Sequence, residues 1–220
     1  MRVGVRVRVE GWGEGEAVHG TSMNRTALLI IDVQNDFCPG GALAVPDGDR
    51  VVPVLNRYVE KTLAAGVTVC ASRDWHPPDT RHFADRGGPW PPHCVQGTPG
   101  AAFHPGLALP AGAVIVTKGD NPRDHGYSAF DGTTGDGRGL ADALRAAAVD
   151  RVLVGGLATD YCVLNSALDA RKHGFDTVLL LDAIRGLDLR EGDVARALDR
   201  MLRAGVGTAT LETVGTDEKA

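Results

Sequence analysis

A chain of 220 residues is long enough for one well-filled domain and short for two. Its apolar share of 43% and charged share of 23% are ordinary for a globular protein, and a formal net charge of -5 gives no support to nucleic-acid or anionic-membrane binding, which favour basic patches. No apolar run approaches the ~20 residues needed to cross a bilayer.

The first 22 residues, "MRVGVRVRVEGWGEGEAVHGTS", lack the apolar centre of a signal peptide. We expect residues 1–22 to be a disordered or dispensable extension. The alternation of Val3, Val5, Val7 and Val9 leaves an additional strand as the alternative. The domain is expected to span 23–213, with 214–220 as a tail. Cys38, Cys70, Cys94 and Cys162 lie far apart with no C-x-x-C pair, which argues against a zinc ribbon, a redox dithiol or a disulfide-stapled scaffold and for a reducing, cytoplasmic compartment.

From residue 26 the pattern alternates. "TALLIIDV" (26–33) has strand length, and residues 50–65 carry Val51, Val54, Leu55, Val59 and Leu63 at helical spacing before Gly66. "VTVCAS" (67–72) and "AVIVTK" (113–118) read as buried strands, 139–148 as a helix and "RVLVGGLA" (151–158) as a fourth strand. Residues 159–174 read as a helix capped by Thr159 or Asp160 and stopped by Gly174. "DTVLLLDA" (176–183), a helix over 191–205 and "VGTATL" (206–211) complete the series. Apolar strands separated by amphipathic helices predict a three-layer α/β/α sandwich with a mostly parallel sheet of about six strands.

In such a sheet, ligands bind beyond the carboxyl ends of the strands. Asp32 ends the first predicted strand, Asp74 follows the second, Lys118 ends the third and Cys162 follows the fourth, so all four should crowd one edge. Cys162, near a predicted helix N-terminus after the Gly-rich "GGLATDYC", suits a nucleophile beside amide donors; a buried structural cysteine is the alternative. Asp32 could be a turn former or a general base with raised proton affinity. Lys118 ends an apolar strand in a chain that strongly prefers arginine, and could place a compact charge beside a carboxylate and a thiolate.

Residues 73–97, "RDWHPPDTRHFADRGGPWPPHCVQG", hold three histidines and five prolines with almost no aliphatic residues. Such a segment is expected to bury little of itself and to need another means of support. Asp74, His76, His82 and His93 could supply it as ligands of Zn²⁺, Fe²⁺ or Mn²⁺, zinc first. Incidental loop histidines are the alternative, but four of the chain's seven histidines fall between 76 and 104. His104 and His125 receive no role.

"DVQNDFCPGG", "DWHPPDTRHF", "WPPHCVQGTPGAAFHP", "KG…YSAF" and "GLATDYCV" resemble, in order and with compatible spacing over about 26–211, the nicotinamidase/pyrazinamidase branch of the isochorismatase-like cysteine hydrolases. The resemblance implies the isochorismatase-like fold and hydrolysis of nicotinamide to nicotinate and ammonia. It implies a catalytic triad of Asp32, Lys118 and Cys162, and one divalent metal on Asp74, His76, His82 and His93. It implies an oxyanion hole from the backbone N–H groups of Ala158 and Cys162 after a cis Leu157–Ala158 bond. Phe37, Trp90, Tyr127, Leu157 and Tyr161 match substrate-pocket positions. Two departures bear on substrate breadth: Tyr161 stands where histidine is frequent, and the length of "KGDNPRDHGYSAF" varies among relatives. The expected partner is a small molecule, with no nucleic acid and no membrane. A homo-oligomer is compatible with the sequence, which shows no interface patch. The competing readings are an amidase acting on another small amide or ureido compound, and a non-catalytic metal-binding interaction module.

Overall fold

Every residue of β1 (Thr26–Ile31) is buried, as expected of a strand covered on both faces. The computed structural model describes residues 25–123 and 125–214. Among these, β1 lies at the centre of a seven-stranded sheet with β2 (Thr68–Asp74), β3 (Val114–Lys118), β4 (Thr133–Thr134), β5 (Arg151–Leu157), β6 (Asp176–Arg185) and β7 (Gly207–Ala209), in the order β4-β3-β2-β1-β5-β6-β7. All neighbours are parallel except β3 and β4.

Leu28 and Ile30 pack with Val51, Leu55, Tyr58 and Val59 of α1 (Val51–Ala64) on one face. Ala27, Leu29 and Ile31 face the opposite layer, built from α2 (Leu140–Ala146), α3 (Leu164–Lys172) and α4 (Asp193–Arg203). The period-2 split of one apolar run thus makes both interfaces of an α/β/α sandwich. None of the described helices is long and apolar enough to cross a membrane.

The sheet differs from the predicted six strands by β4, whose two residues carry no readable period. The expected side-chain cap of the helix at 159–174 is also absent. A π-helical turn, Thr159–Val163, precedes α3, and its N-cap is Ala158, without a side-chain cap bond. Asp160 Oδ1 and Oδ2 instead accept the backbone N–H groups of Leu187 and Asp188, each at 2.9 Å, tying the β5 exit to the β6 exit. The readings of residues 1–22 and of the tail beyond Val214 lie outside the described residues. Val214 itself is buried, and its carbonyl accepts from Lys61 Nζ at 2.7 Å.

The histidine- and proline-rich segment buries far more than its composition suggests. His76, His82, Phe83, Trp90, His93 and Cys94 are all buried. Backbone bonds hold it: His76 N donates to Cys94 O at 3.0 Å, Gln96 N to His76 O at 2.9 Å and Ala84 N to Trp90 O at 2.7 Å. Aromatic and imidazole rings replace aliphatic side chains as filling. The strand order reverses at β1, between β2 and β5, where the sheet rule places a ligand crevice.

Candidate active site

β2 and β3 are in parallel register, with Asp74 directly opposite Lys118. Period-2 alternation puts Ser72 and Asp74 on the same side of β2. Asp32 is the first residue past β1, with φ of 47°, a left-handed conformation that aspartate tolerates better than most side chains. Its Oδ1 accepts from Ser72 Oγ at 2.7 Å and its Oδ2 lies 2.7 Å from Lys118 Nζ. Lys118 Nζ also donates to Asp74 Oδ1 at 2.5 Å, to Gly126 O at 2.7 Å and to Cys162 Sγ at 3.5 Å. The ammonium therefore has a full set of acceptors in a place with no access to water. Ligand atoms of Asp32, Asp74 and Cys162 lie within 4.8 Å of one another. Three strand ends and one helical turn thus bring together two carboxylates, an ammonium and a thiol.

One ammonium cannot neutralise two carboxylates and a thiolate, so the groups divide. Burial opposes ionisation of Asp74, but Lys118 and the imidazoles of His76 and His93 hold its carboxyl well below the usual carboxylate range. Burial is the largest influence on Asp32 and leaves its pKa raised despite Lys118, so Asp32 is the carboxylate suited to exchange a proton. Burial also pulls on Lys118, yet Asp32, Asp74 and Cys162 outweigh it and keep the ammonium charged. For Cys162, burial pushes the thiol up, Lys118 opposes, and the two carboxylates push further. The favourable effect of a helix N-terminus does not dominate here. At rest the group is a thiol whose proton Asp32 can accept.

The three imidazoles of His76, His82 and His93 offer nitrogens within 4.8 Å of one another. Their chemistry fits a divalent cation. His76 Nδ1 lies 3.0 Å from Gly119 O and His93 Nδ1 lies 2.8 Å from Pro91 O. A carbonyl only accepts, so each Nδ1 carries a hydrogen, and in the neutral form of either ring Nε2 is the nitrogen with the lone pair. His76 Nε2 is buried with no hydrogen-bond partner, as a ligand atom would be. Burial, followed by the neighbouring His76 and His93, lowers the His82 pKa to about 3, keeping that ring neutral. Asp74 Oδ2 stands 3.6 Å from His76 Nε2 and 4.0 Å from His93 Nε2, so Asp74 joins the imidazole cluster to Lys118. Gly119 has a φ of 66°, and a Cβ there would meet His76 Cε1 at 2.5 Å, so a side chain would displace the ring.

A narrow cavity, ≈ 310 Å³ when the space open to solvent is included, adjoins both groups and is lined by Phe37, Leu43, Asp74, His82, Trp90, His93, Tyr127, Ala158, Tyr161, Cys162 and Leu187. Trp90 packs edge-on to Tyr161 with centroids 4.9 Å apart, and its Nε1 donates to Tyr127 Oη at 2.9 Å. Phe37, Trp90, Tyr127 and Tyr161 therefore meet around one space, as do Ala158 and Cys162. The Leu157–Ala158 bond is cis. Leu157 departs from the expected pocket set: it is fully buried in the core on the α1 side of the sheet and is absent from the lining. Leu43 and Leu187 line the cavity without having been singled out in the sequence. Both lie in aperiodic loops, one held by the backbone and side chain of Asp36 and the other by the remote carboxylate of Asp160. Leu43 N donates to Asp36 O at 3.0 Å and Ala42 N to Asp36 Oδ1 at 3.1 Å, while Leu187 hangs from Asp160.

Gln34 supports the site from behind. Its Nε2 donates to Asp74 O and to Ala101 O, and its Oε1 accepts Asp74 N, all at 2.8 Å. The side chain extends the β-ladder and fixes the backbone of Asp74.

A family model described as Isochorismatase domain matches residues 26–213. A nicotinamidase of Escherichia coli (strain K12) is 42% identical over 201 residues, 84% of this chain and 94% of its own length. A nicotinamidase/pyrazinamidase of Mycobacterium tuberculosis is 40% identical over 183 residues, 82% of this chain and 96% of its own. The crystal structure of a pyrazinamidase of Pyrococcus horikoshii in complex with zinc superposes with a TM-score of 0.78 at 46% identity, covering 84% of this chain and 99% of that one. With the sheet order, the strand-end cluster and these matches in agreement, the chain belongs to the isochorismatase domain family.

Proposed function

We propose that this chain is a metal-dependent cysteine amidohydrolase that converts nicotinamide to nicotinate and ammonia in the salvage of NAD, and that it also hydrolyses pyrazinamide. One observation carries the reading. A thiol in contact with a carboxylate–ammonium pair lines the same small aromatic cavity as His82 and His93, two of three imidazoles whose ring nitrogens cluster within 4.8 Å. Phe37, Trp90, Tyr127 and Tyr161 offer flat apolar surfaces against which a small planar ring can lie.

In the mechanism we assign, Asp32 takes the proton of Cys162 and the thiolate attacks the amide carbon. Lys118 stays charged and stabilises whichever partner is the anion. The developing oxyanion rests on the backbone N–H groups of Ala158 and Cys162, where one donor is typically worth ~3 kcal/mol in the transition state. Asp32 returns its proton to the departing nitrogen, and ammonia leaves with formation of a thioester. Water, deprotonated by Asp32, then attacks the thioester, and the carboxylic acid product and the free thiol are released. A divalent ion on Asp74, His76, His82 and His93, zinc in first place, would supply a Lewis-acidic anchor for the ring nitrogen. The four thiols are free and buried, which suits a reducing, cytoplasmic compartment.

Ammonia release from nicotinamide, measured before and after exhaustive chelation with elemental analysis alongside, tests this reading. Turnover should fall with ion content and return on adding Zn²⁺, Fe²⁺ or Mn²⁺. His76→Ala should lose the ion and raise KM at least ~10-fold, equivalent to losing ~1.4 kcal/mol of substrate anchoring. Undiminished turnover by verified ion-free protein would contradict the metal's role.

A further inference from the structure

Two of the three clustered imidazoles have their orientation set by backbone carbonyls, Gly119 O for His76 and Pro91 O for His93. His82 differs: its Nδ1 lies 3.3 Å from Nδ1 of His125. Two ring nitrogens at that separation share one hydrogen. If His125 carried it, His82 would keep its own hydrogen on Nε2 and could not offer that atom to a cation. If His82 carries it, its Nε2 is a free lone pair, matching His76 and His93.

We infer that His125 is a positioning residue for the metal cluster, accepting the Nδ1–H of His82 so that Nε2 of His82 faces the ion. The inference rests on the metal reading above. The placement of His125 supports it. Its ring is exposed, so its own Nε2–H can be hydrated while its Nδ1 faces inward. It stacks on Tyr127 at 5.8 Å between centroids and 16° between planes, and Tyr127 in turn packs edge-on to His82 at 5.4 Å. The next residue, Gly126, is held by its carbonyl to Lys118 Nζ at 2.7 Å, and a Cβ on Gly126 would meet Gly119 Cα at 2.6 Å. The segment carrying His125 is therefore pinned to the same strand end that supplies Lys118 and Gly119. Of the three outer partners, His125 is the one that uses a side chain and so the one a substitution can remove.

Partners of this kind are typically worth 10–100-fold in metal affinity. His125→Phe keeps a ring against Tyr127 and removes the acceptor. His125→Asn places an amide oxygen close to where Nδ1 stood. Competition between the ion-free protein and a chromophoric chelator for Zn²⁺ should give a 10–100-fold weaker constant for His125→Phe and a value near wild type for His125→Asn. Substitution at an exposed position of this kind should leave the melting curve close to that of wild type. A long-range ¹H–¹⁵N spectrum of ion-free wild type should show His82 as the Nδ1–H tautomer. Wild-type affinity in His125→Phe, an Asn variant as weak as Phe, or an Nε2–H tautomer of His82 would each overturn the inference. His76→Ala in the same titration separates the two levels. If it loses Zn²⁺ while His125→Phe does not, the positioning role alone falls; if it binds normally, the metal reading falls.

Discussion

Replacing Cys162 with alanine is expected to lower kcat for nicotinamide by on the order of 10⁴–10⁶-fold, the scale seen when a covalent nucleophile is removed. The dissociation constant for nicotinamide should stay within a few-fold of wild type. Cys162 contributes one wall of a cavity whose aromatic surfaces come from Phe37, Trp90, Tyr127 and Tyr161, so loss of sulfur removes little binding surface. The ion pairs of Lys118 with Asp32 and Asp74 do not depend on the thiol, so the fold should persist. No other cysteine lines the cavity, which leaves no substitute nucleophile of the same kind. Single-turnover ammonia release together with titration calorimetry separates the two effects. A kcat within ~10-fold of wild type would remove Cys162 from the chemistry.

Lys118→Met should damage both activity and stability. The native ammonium is fully buried with Asp32 at 2.7 Å and Asp74 at 2.5 Å. A thioether of similar length fills the space and leaves two carboxylates facing each other without a counter-charge. Breaking a buried pair by removing one partner typically costs ~3–5 kcal/mol. Denaturant unfolding should show a loss of that order, and turnover should fall below detection because Asp32 no longer has its orienting partner. Lys118→Arg should also be impaired. A planar guanidinium cannot reproduce a compact ammonium that reaches Asp32, Asp74, Gly126 and Cys162 at once. Unfolding free energies of Lys118→Met within ~1 kcal/mol of wild type would mean that the carboxylates are stabilised by something other than Lys118.

The central part of this arrangement is legible in the sequence because it depends on local signals. Runs such as "TALLII" and "RVLVGGL" announce buried parallel strands, and the residues at their carboxyl ends then share an edge by geometry alone. Asp32, Asp74, Lys118 and Cys162 could be named together for that reason. What stayed hidden depends on contacts between distant segments. β4 has two residues and exists because Val116 and Thr117 pair with Thr134 and Thr133. Asp160 reads as a helix cap, yet its carboxylate serves backbone groups 27 and 28 residues away. Leu43 and Leu187 line the cavity through loops with no period of their own, and Leu157, adjacent in sequence to the pocket residue Ala158, turns into the core instead. The segment 73–97 looked too polar to pack, because imidazole and indole rings count as polar in a pattern search while filling space as apolar groups do. His125 is one isolated imidazole in sequence, and its pairing with His82 spans 43 residues.

Everything in the proposed chemistry passes through a covalent thioester on Cys162. Wild-type protein mixed with excess nicotinamide, acid-quenched within the first turnovers and digested, allows the peptide bearing Cys162 to be weighed directly. An added nicotinoyl group is expected on that peptide, present only with active substrate and absent from Cys162→Ala. Ammonia released at the full rate with Cys162 never modified at any quench time, including conditions that slow thioester hydrolysis, would contradict it.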